Sequence, residues 1–283
     1  MTGALGLECR RFADLEERLT RAQRPIRQRS AAKRSRGAAF ALLVGFALAP
    51  AAGALAANGP CTPLHVEDAD YSVCRFDVRR EDVRLYWRDP AGKPYGNFTA
   101  LAQSLKARGR ALRFAMNAGM FETDLSPVGL FVEDGRRVHR ADTREGESNF
   151  HLKPNGVFWI GESSAGVTET SRYLANPPAA RFATQSGPML VIDGRIHPKI
   201  SPTGTSRKVR NGVCVRDGAT ATFAISETPV TFNAFARLFR DSLGCSNALF
   251  LDGSVSSLYA PDLGRDDEFP PLGPIVAVTA PAP

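Results

Sequence analysis

Three Asp-Gly pairs, at 134–135, 193–194 and 217–218, each lie between two apolar runs, and they constrain the fold of this 283-residue chain more than any other feature. The favoured two-residue hairpin turn needs positive φ at both positions, which glycine adopts freely and aspartate tolerates. Val128 to Glu133 before Arg136 to Val138 therefore reads as an antiparallel hairpin. So do Met189 to Ile192 before Arg195-Ile196, and Gly212 to Arg216 before Ala219 to Ser226. Further strands are expected at Ala111 to Met116, Gly156 to Ile160, Ala248 to Leu251 and Ile275 to Val278. Helical periodicity stands out in two places. Phe98 to Arg108 sets Phe98, Leu101, Ala102 and Leu105 on one face and stops at Gly109. Thr231 to Leu243 groups Phe232, Phe235, Ala236 and Phe239 and stops at Gly244. The class expected is α+β, a single domain with a mixed, mainly antiparallel central sheet and a few flanking helices.

The first 57 residues stand apart. Residues 1–37 are strongly basic, residues 38–49 are an uncharged apolar run, and Pro50 and Ala54-Leu55-Ala56-Ala57 follow. That order reads as a signal peptide with a long basic region, and it leaves a domain over 58–283 in the periplasm or outside the cell. An uncleaved anchor is the competing reading; Pro50, Gly53 and the alanine richness favour cleavage, so no membrane span is expected after it. The leader also settles the charge. It holds ten of the 36 basic and four of the 29 acidic side chains, which leaves 26 and 25 on the rest of a chain whose total is +7. A nearly neutral domain gives no reason to expect nucleic acid as a partner. Oligomeric state is not legible in the sequence.

Cys61, Cys74, Cys214 and Cys245 lie in the domain, and Cys9 goes with the leader. An even count in an exported chain points to two disulfides. Cys61–Cys74 with Cys214–Cys245 is the preferred pairing because the first two are close in sequence, although sequence alone leaves other connectivities open. A zinc site is the weaker alternative, for there is no Cys-x-x-Cys and the histidines are scattered.

Asn247 to Ser257 is the segment richest in chemistry. An apolar run ends on Asp252, and Gly253, Ser254, Ser256 and Ser257 follow, so a buried strand delivers a carboxylate to a turn full of hydrogen-bonding groups. Other polar turns match it. Asn117-Ala118-Gly119 follows a strand, with Glu122 just beyond, and suits close approach of backbone to a ligand. Lys153-Pro154-Asn155-Gly156 and Gln185-Ser186-Gly187-Pro188 each precede a strand, and Lys153 can bind an anion. Thr205 to Asn211 carries Arg207, Lys208 and Arg210, and an arginine presents paired N–H donors to a phosphate. Alternation places Arg207 on the face opposite Lys208 and Arg210. Taken singly, each turn is as well read as an ordinary loop; their convergence on one anion-holding hollow is the expectation, and turns scattered over the surface would indicate a purely structural domain. The sequence has no Gly-x-Ser-x-Gly elbow, P-loop or His-Glu-x-x-His. No cofactor is expected, and no ligand spacing demands a metal, although a divalent ion at Asp252 or Glu122 stays open.

Taken together and in order, Asn117 to Phe121, Ser126 to Leu130, Asn149-Phe150, Lys153 to Gly156, Gln185 to Pro188, Arg207 to Gly212 and Asn247 to Ser257 resemble the phosphodiester glycosidase family, in its exported bacterial branch. The resemblance spans roughly residues 70–280. It implies hydrolysis of a sugar joined through its anomeric carbon to a phosphodiester. By the same resemblance Asn117 and Gly119 line the site, Arg210 holds phosphate, and Asp252 is the strand-end carboxylate with Ser256 and Ser257 beside it. The uncovering-enzyme members carry more glycine in both turns, where this chain has Asn117-Ala118-Gly119 and Asp252-Gly253-Ser254. The bulkier turns bear on which sugar fits. The expected function is an exported hydrolase of a sugar-1-phosphodiester, with Asp252, Arg210 and Asn117 catalytic. Gly119, Glu122, Lys153, Asn155, Gln185, Ser186, Arg207, Asn211, Gly253, Ser256 and Ser257 complete the expected substrate site. A non-catalytic binder of phosphorylated glycans is the alternative.

Overall fold

The structure is a computed structural model in which residues 59–267 and 271–282 are described. The leader expected over residues 1–57 lies outside them. No helix among the described residues is long and apolar enough to cross a membrane.

The chain opens with a hairpin of β1 (Cys61–Val66) and β2 (Ala69–Asp77), then β3 (Asp82–Tyr86), helix α1 (Phe98–Lys106) and β4 (Arg110–Asn117). The hairpin β5 (Phe131–Glu133) and β6 (Arg136–His139) leads to β7 (Gly156–Ile160), β8 (Ala165–Glu169) and the short helix α2 (Thr170–Ala175). Next come β9 (Phe182–Ser186), β10 (Met189–Ile192) and β11 (Arg195–Ile196), and the hairpin β12 (Asn211–Arg216) and β13 (Thr220–Ser226). Helix α3 (Phe232–Arg237) continues into a π-helical turn, Leu238–Ser242. The chain closes with β14 (Ala248–Asp252), β15 (Leu258–Ala260), β16 (Arg265–Asp266) and β17 (Ile275–Pro281).

The Asp-Gly pairs at 134–135, 193–194 and 217–218 make the expected hairpins. Asp134, Asp193 and Asp217 have φ of 46°, 47° and 52°, and the glycine after each is also positive. Helix α1 starts where Asn97 accepts the Ala100 N–H at 2.7 Å. One expectation needs correction. The strands form three sheets, ordered β1-β2-β13-β12-β14-β10-β11, β16-β15-β4-β17-β3 and β6-β5-β9-β7-β8, and every strand pair among the described residues is antiparallel. The helices are few and short, so the domain is richer in β than α+β suggests. The helical crossovers from β3 to β4 and from β13 to β14 each skip one strand, β17 and β12, so strands that run parallel never lie side by side in these sheets.

The three sheets share one core. Phe76 of β2 lies 4.8 Å from Phe114 of β4, and Phe223 of β13 lies 5.1 Å from Phe114 and 5.7 Å from Phe158 of β7, centroid to centroid. Burying each ring is worth roughly 2–3 kcal/mol. Alternation does the sorting. Along β14, Leu249 and Leu251 enter this core, while Ala248 and Phe250 face α3 on the other side. Phe114 and Met116 of β4 turn inward, and Ala115 turns out to Phe98, Leu101 and Leu105 of α1. Each sheet is therefore apolar on both faces, with a helix packed on its outer one.

Two disulfides close the domain as the preferred pairing has them. Cys61 and Cys74 are directly opposed in the β1–β2 ladder. Cys214 of β12 holds Cys245, with Cα atoms 6.1 Å apart, and so ties the segment after the π turn to the large sheet.

Candidate active site

Strand ends from all three sheets meet around Asp252. β14 is buried along its whole length because both of its faces are covered, and Asp252 ends it at 5% exposure. Opposite, Asn211 pairs with Asp252 while Gly212 pairs with Phe250, so Leu251 is an extra residue bulged from the ladder. The carbonyl of that residue accepts the Ser186 hydroxyl, from the end of β9, at 2.9 Å. Asn117, at the end of β4, is fully buried and reciprocates with Asn211. The Asn211 Nδ2 donates to Asn117 Oδ1 and to its backbone oxygen, both at 2.9 Å. Asn117 Oδ1 also accepts the Ser257 backbone N–H at 2.9 Å. Ser256 Oγ lies 3.1 Å from the carbonyls of Val209 and Asp252. Side-chain amides and hydroxyls thus knit the turn after Asp252 to β4 and β12.

Gly119 belongs to the same place. Its φ is +150°, and a Cβ there would stand 3.2 Å from Thr184 Oγ1 and 3.7 Å from Ser186 Cβ. Thr184, which the sequence did not single out, donates its hydroxyl to Ala118 O at 3.0 Å and holds that turn against β9. An isolated hydroxyl between Ala183 and Gln185 is the only signal that could have found it.

Asp252 has an asymmetric environment. Its Oδ1 accepts the backbone N–H groups of Gly253, Ser254 and Val255 at 2.5, 2.6 and 3.3 Å. Its Oδ2 accepts no hydrogen bond among the described residues. Burial pushes the carboxyl above the ordinary aspartate range, and the three N–H donors oppose that rise.

Arg210 sits on the α3 face of the large sheet, the face toward which Phe250 points. Its guanidinium lies 3.6 Å from the Phe232 ring and 5.5 Å from the Phe250 ring. Nε donates to Val230 O and one terminal nitrogen to Ser206 O, each at 3.0 Å. The other terminal nitrogen, Nη1, would lie 3.5 Å from a Cβ at Gly253, so it is aimed at the Asp252 turn. Arg210 is 1% exposed and forms no ion pair among the described residues. Burial lowers its pKa to about 10, so it stays a cation at neutral pH. A buried cation without an anion is costly, and an anionic ligand beside Gly253 would complete it.

Other expected residues lie elsewhere or are already engaged. The Gln185 to Pro188 segment precedes β10 as expected, but Gln185 and Ser186 themselves end β9 and only Gly187 and Pro188 form the connection. They point to opposite faces, and the Gln185 amide bonds the Leu130 and Asp142 N–H groups at 3.0 and 2.9 Å and the Asp142 carbonyl at 2.7 Å. Asn155 donates to Phe150 O at 2.9 Å. Lys153 pairs with Glu145 at 2.8 Å. Glu122 is exposed and borders a cleft of about 420 Å³ with His139 and Arg144. Arg207 is exposed, donates to Pro229 O at 3.3 Å and lines a different cleft beside Glu67 and Arg237. Of Arg207 and Arg210, only Arg210 is aimed at the Asp252 turn. Among the described residues no group of three His, Cys, Asp or Glu side chains is placed to hold a metal ion.

Three comparisons bear on this arrangement. The model of a family described as phosphodiester glycosidase matches residues 110–269, which hold Asn117, Asn211 and Asp252 alike. An uncharacterized protein of Escherichia coli, YigE, is 33% identical over 196 residues, 69% of this chain and 76% of that one. Among solved structures, the zebrafish N-acetylglucosamine-1-phosphodiester alpha-N-acetylglucosaminidase catalytic domain, auto-inhibited by its pro-peptide, superposes with a TM-score of 0.55 at 14% identity. That match covers 77% of this chain and 81% of that one, and at this identity it bears on the fold alone.

Proposed function

We propose, from the premise that this chain belongs to the phosphodiester glycosidase family, that it hydrolyses the bond between a sugar's anomeric carbon and a phosphodiester. The observation that carries the reading is Arg210, a buried guanidinium that pairs with no carboxylate among the described residues and is aimed at the turn of a buried Asp252. In this reading the Arg210 Nη1 takes a non-bridging phosphate oxygen. Asp252 Oδ2, free of other hydrogen bonds, acts as base toward water or as nucleophile at the anomeric carbon. The leaving group is a phosphodiester oxygen, whose departing charge the guanidinium offsets, so a strong general acid is less needed than for an ordinary glycoside. The Asn117–Asn211 pair holds the turn so that Oδ2 faces the substrate. The two disulfides favour an oxidising compartment, which supports an exported protein acting on an envelope or environmental glycan.

The test is release of free sugar from a panel of glycosyl phosphodiesters, with Asp252→Asn beside the wild type. Turnover lost by about 10³-fold in the variant supports the assignment. Cleavage by the variant at the wild-type rate removes Asp252 from the mechanism. Tight binding of a sugar phosphate with no turnover at any pH replaces hydrolysis with recognition.

A further inference from the structure

A second basic cleft, of about 520 Å³, opens at the far end of the sheets from Asp252. Arg110, at the start of β4, and Phe182, at the start of β9, line it, whereas Asn117 and Ser186 end the same strands at the site described above. Seven residues of extended chain separate Arg110 from Asn117, about 23 Å.

The charges in this cleft are unevenly compensated. Asp82 is matched by both Arg84 and Arg110. Asp89 spends its Oδ1 on the Ala91 and Lys93 N–H groups, Asp134 lies 3.7 Å from Arg181, and Glu133 also lines the cleft, near enough to Arg136 and Arg108 for both to favour its ionised form. Arg88, Arg108 and Arg136 also line the cleft, and none of them forms an ion pair among the described residues. Two of these three are held by neutral groups. The Arg88 guanidinium stacks 3.8 Å from the Trp87 ring centroid. Arg108 donates to the Tyr95 hydroxyl at 3.1 Å and to Ser104 Oγ and O at 3.1 and 3.0 Å. Neutral anchors orient a guanidinium without a contact ion pair, and the five arginines of the lining outnumber its four carboxylates, Asp82, Asp89, Glu133 and Asp134, which leaves a net positive charge for an external anion. The volume is that of a small-molecule pocket, and the largely buried Tyr86 and Tyr95 border it.

We propose that this cleft is a second anion site, where Arg88, Arg108 and Arg136 hold a phosphate of a polymeric glycosyl phosphodiester about 20 Å from the bond at Asp252. Its identity as a substrate site rests on the function proposed above; its anion binding does not. A chain of sugar phosphates would engage both ends of the domain, and the remote contact would raise affinity for polymer over a single unit through effective concentration.

The experiment measures binding, by fluorescence anisotropy, of a labelled glycosyl phosphate oligomer long enough to span both sites, of its single-unit counterpart, and of an uncharged glycan of equal length. The proteins are the wild type and Arg88→Gln/Arg136→Gln, whose side chains are exposed and make no hydrogen bond or ion pair among the described residues. The wild type should prefer the long anionic oligomer, and the double variant should weaken that binding about tenfold or more while leaving the single unit unaffected. Arg108→Gln alone should weaken it in the same direction. Equal affinity of wild type and double variant for the oligomer, or no preference of the wild type for length or charge, overturns the proposal. If no glycosyl phosphodiester is cleaved but the length-dependent binding is present and lost in the variant, hydrolysis fails and the second anion site stands.

Discussion

Asp252 binds three backbone N–H groups through one oxygen and leaves the other without a partner among the described residues. A folded-state pKa raised by burial means that the ionised form opposes folding: the group's stability contribution is full below the ordinary aspartate range and lost as pH rises through the shifted value. Asp252→Asn, which keeps an acceptor for the N–H groups, should match or exceed the wild-type melting temperature at neutral pH while turnover collapses. A marked fall in melting temperature would mean that the carboxylate supports the fold. Glu133 shows the same sign away from the site. Burial and neighbouring Asp134 push its carboxyl up to about 6 from 4.5. Glu133→Gln should therefore stabilise the domain by about 1 kcal/mol above pH ~7, after discount for partial exposure, and not below pH ~4. Melting curves at the two pH values check this, and equal shifts at both would contradict it. Residue chemistry of this kind was partly legible beforehand. A carboxylate ending an apolar run marked Asp252, but nothing local told Arg210 from Arg207. Phe232 and Phe250, which enclose Arg210, are distant in sequence from it and from each other.

At the scale of elements, the site depends on how strands end. β4 runs out at Asn117, and the next turn must pass close to β9, so Gly119 takes a φ of +150° where a side chain would press on Thr184. Gly119→Ala should cost about 1–3 kcal/mol and lower turnover as the Asn117 amide shifts. Gly135→Ala, at an exposed hairpin tip with no atom within 4 Å of the added Cβ, serves as the comparison. It carries backbone strain alone and should leave turnover intact. Equal losses of activity at both positions would remove the turn from the site's construction. The bulge at Leu251 is the other device, because one extra residue lets Asp252 stand opposite Asn211 and turns a carbonyl to Ser186. Hairpins announced themselves through Asp-Gly, whereas a bulge depends on the partner strand and carries no dipeptide signature here.

In the whole molecule, three sheets close on one core and bring the ends of β4, β9, β12 and β14 together. The Cys214–Cys245 bond spans 31 residues and fixes the α3 cover, and with it Phe232, to the large sheet. Replacing both cysteines by alanine should lower stability by about 3–4 kcal/mol, roughly 10 °C in melting temperature. An unchanged melting temperature would show that packing alone holds that cover. The sequence by itself determined what short-range rules govern: three tight turns, strands of period two, an even set of half-cystines, and an acid at a strand end. Tertiary structure alone decided that the strands form three antiparallel sheets instead of one mixed sheet. It also decided that Ser186 faces the site while Gln185, one residue earlier, is spent on the Asp142 loop, and that a single arginine of the basic run is buried beside the acid. The reason is physical: alternation assigns neighbouring residues to opposite faces, but which face becomes a site depends on the sheet that packs against it, and that contact joins residues far apart in the chain.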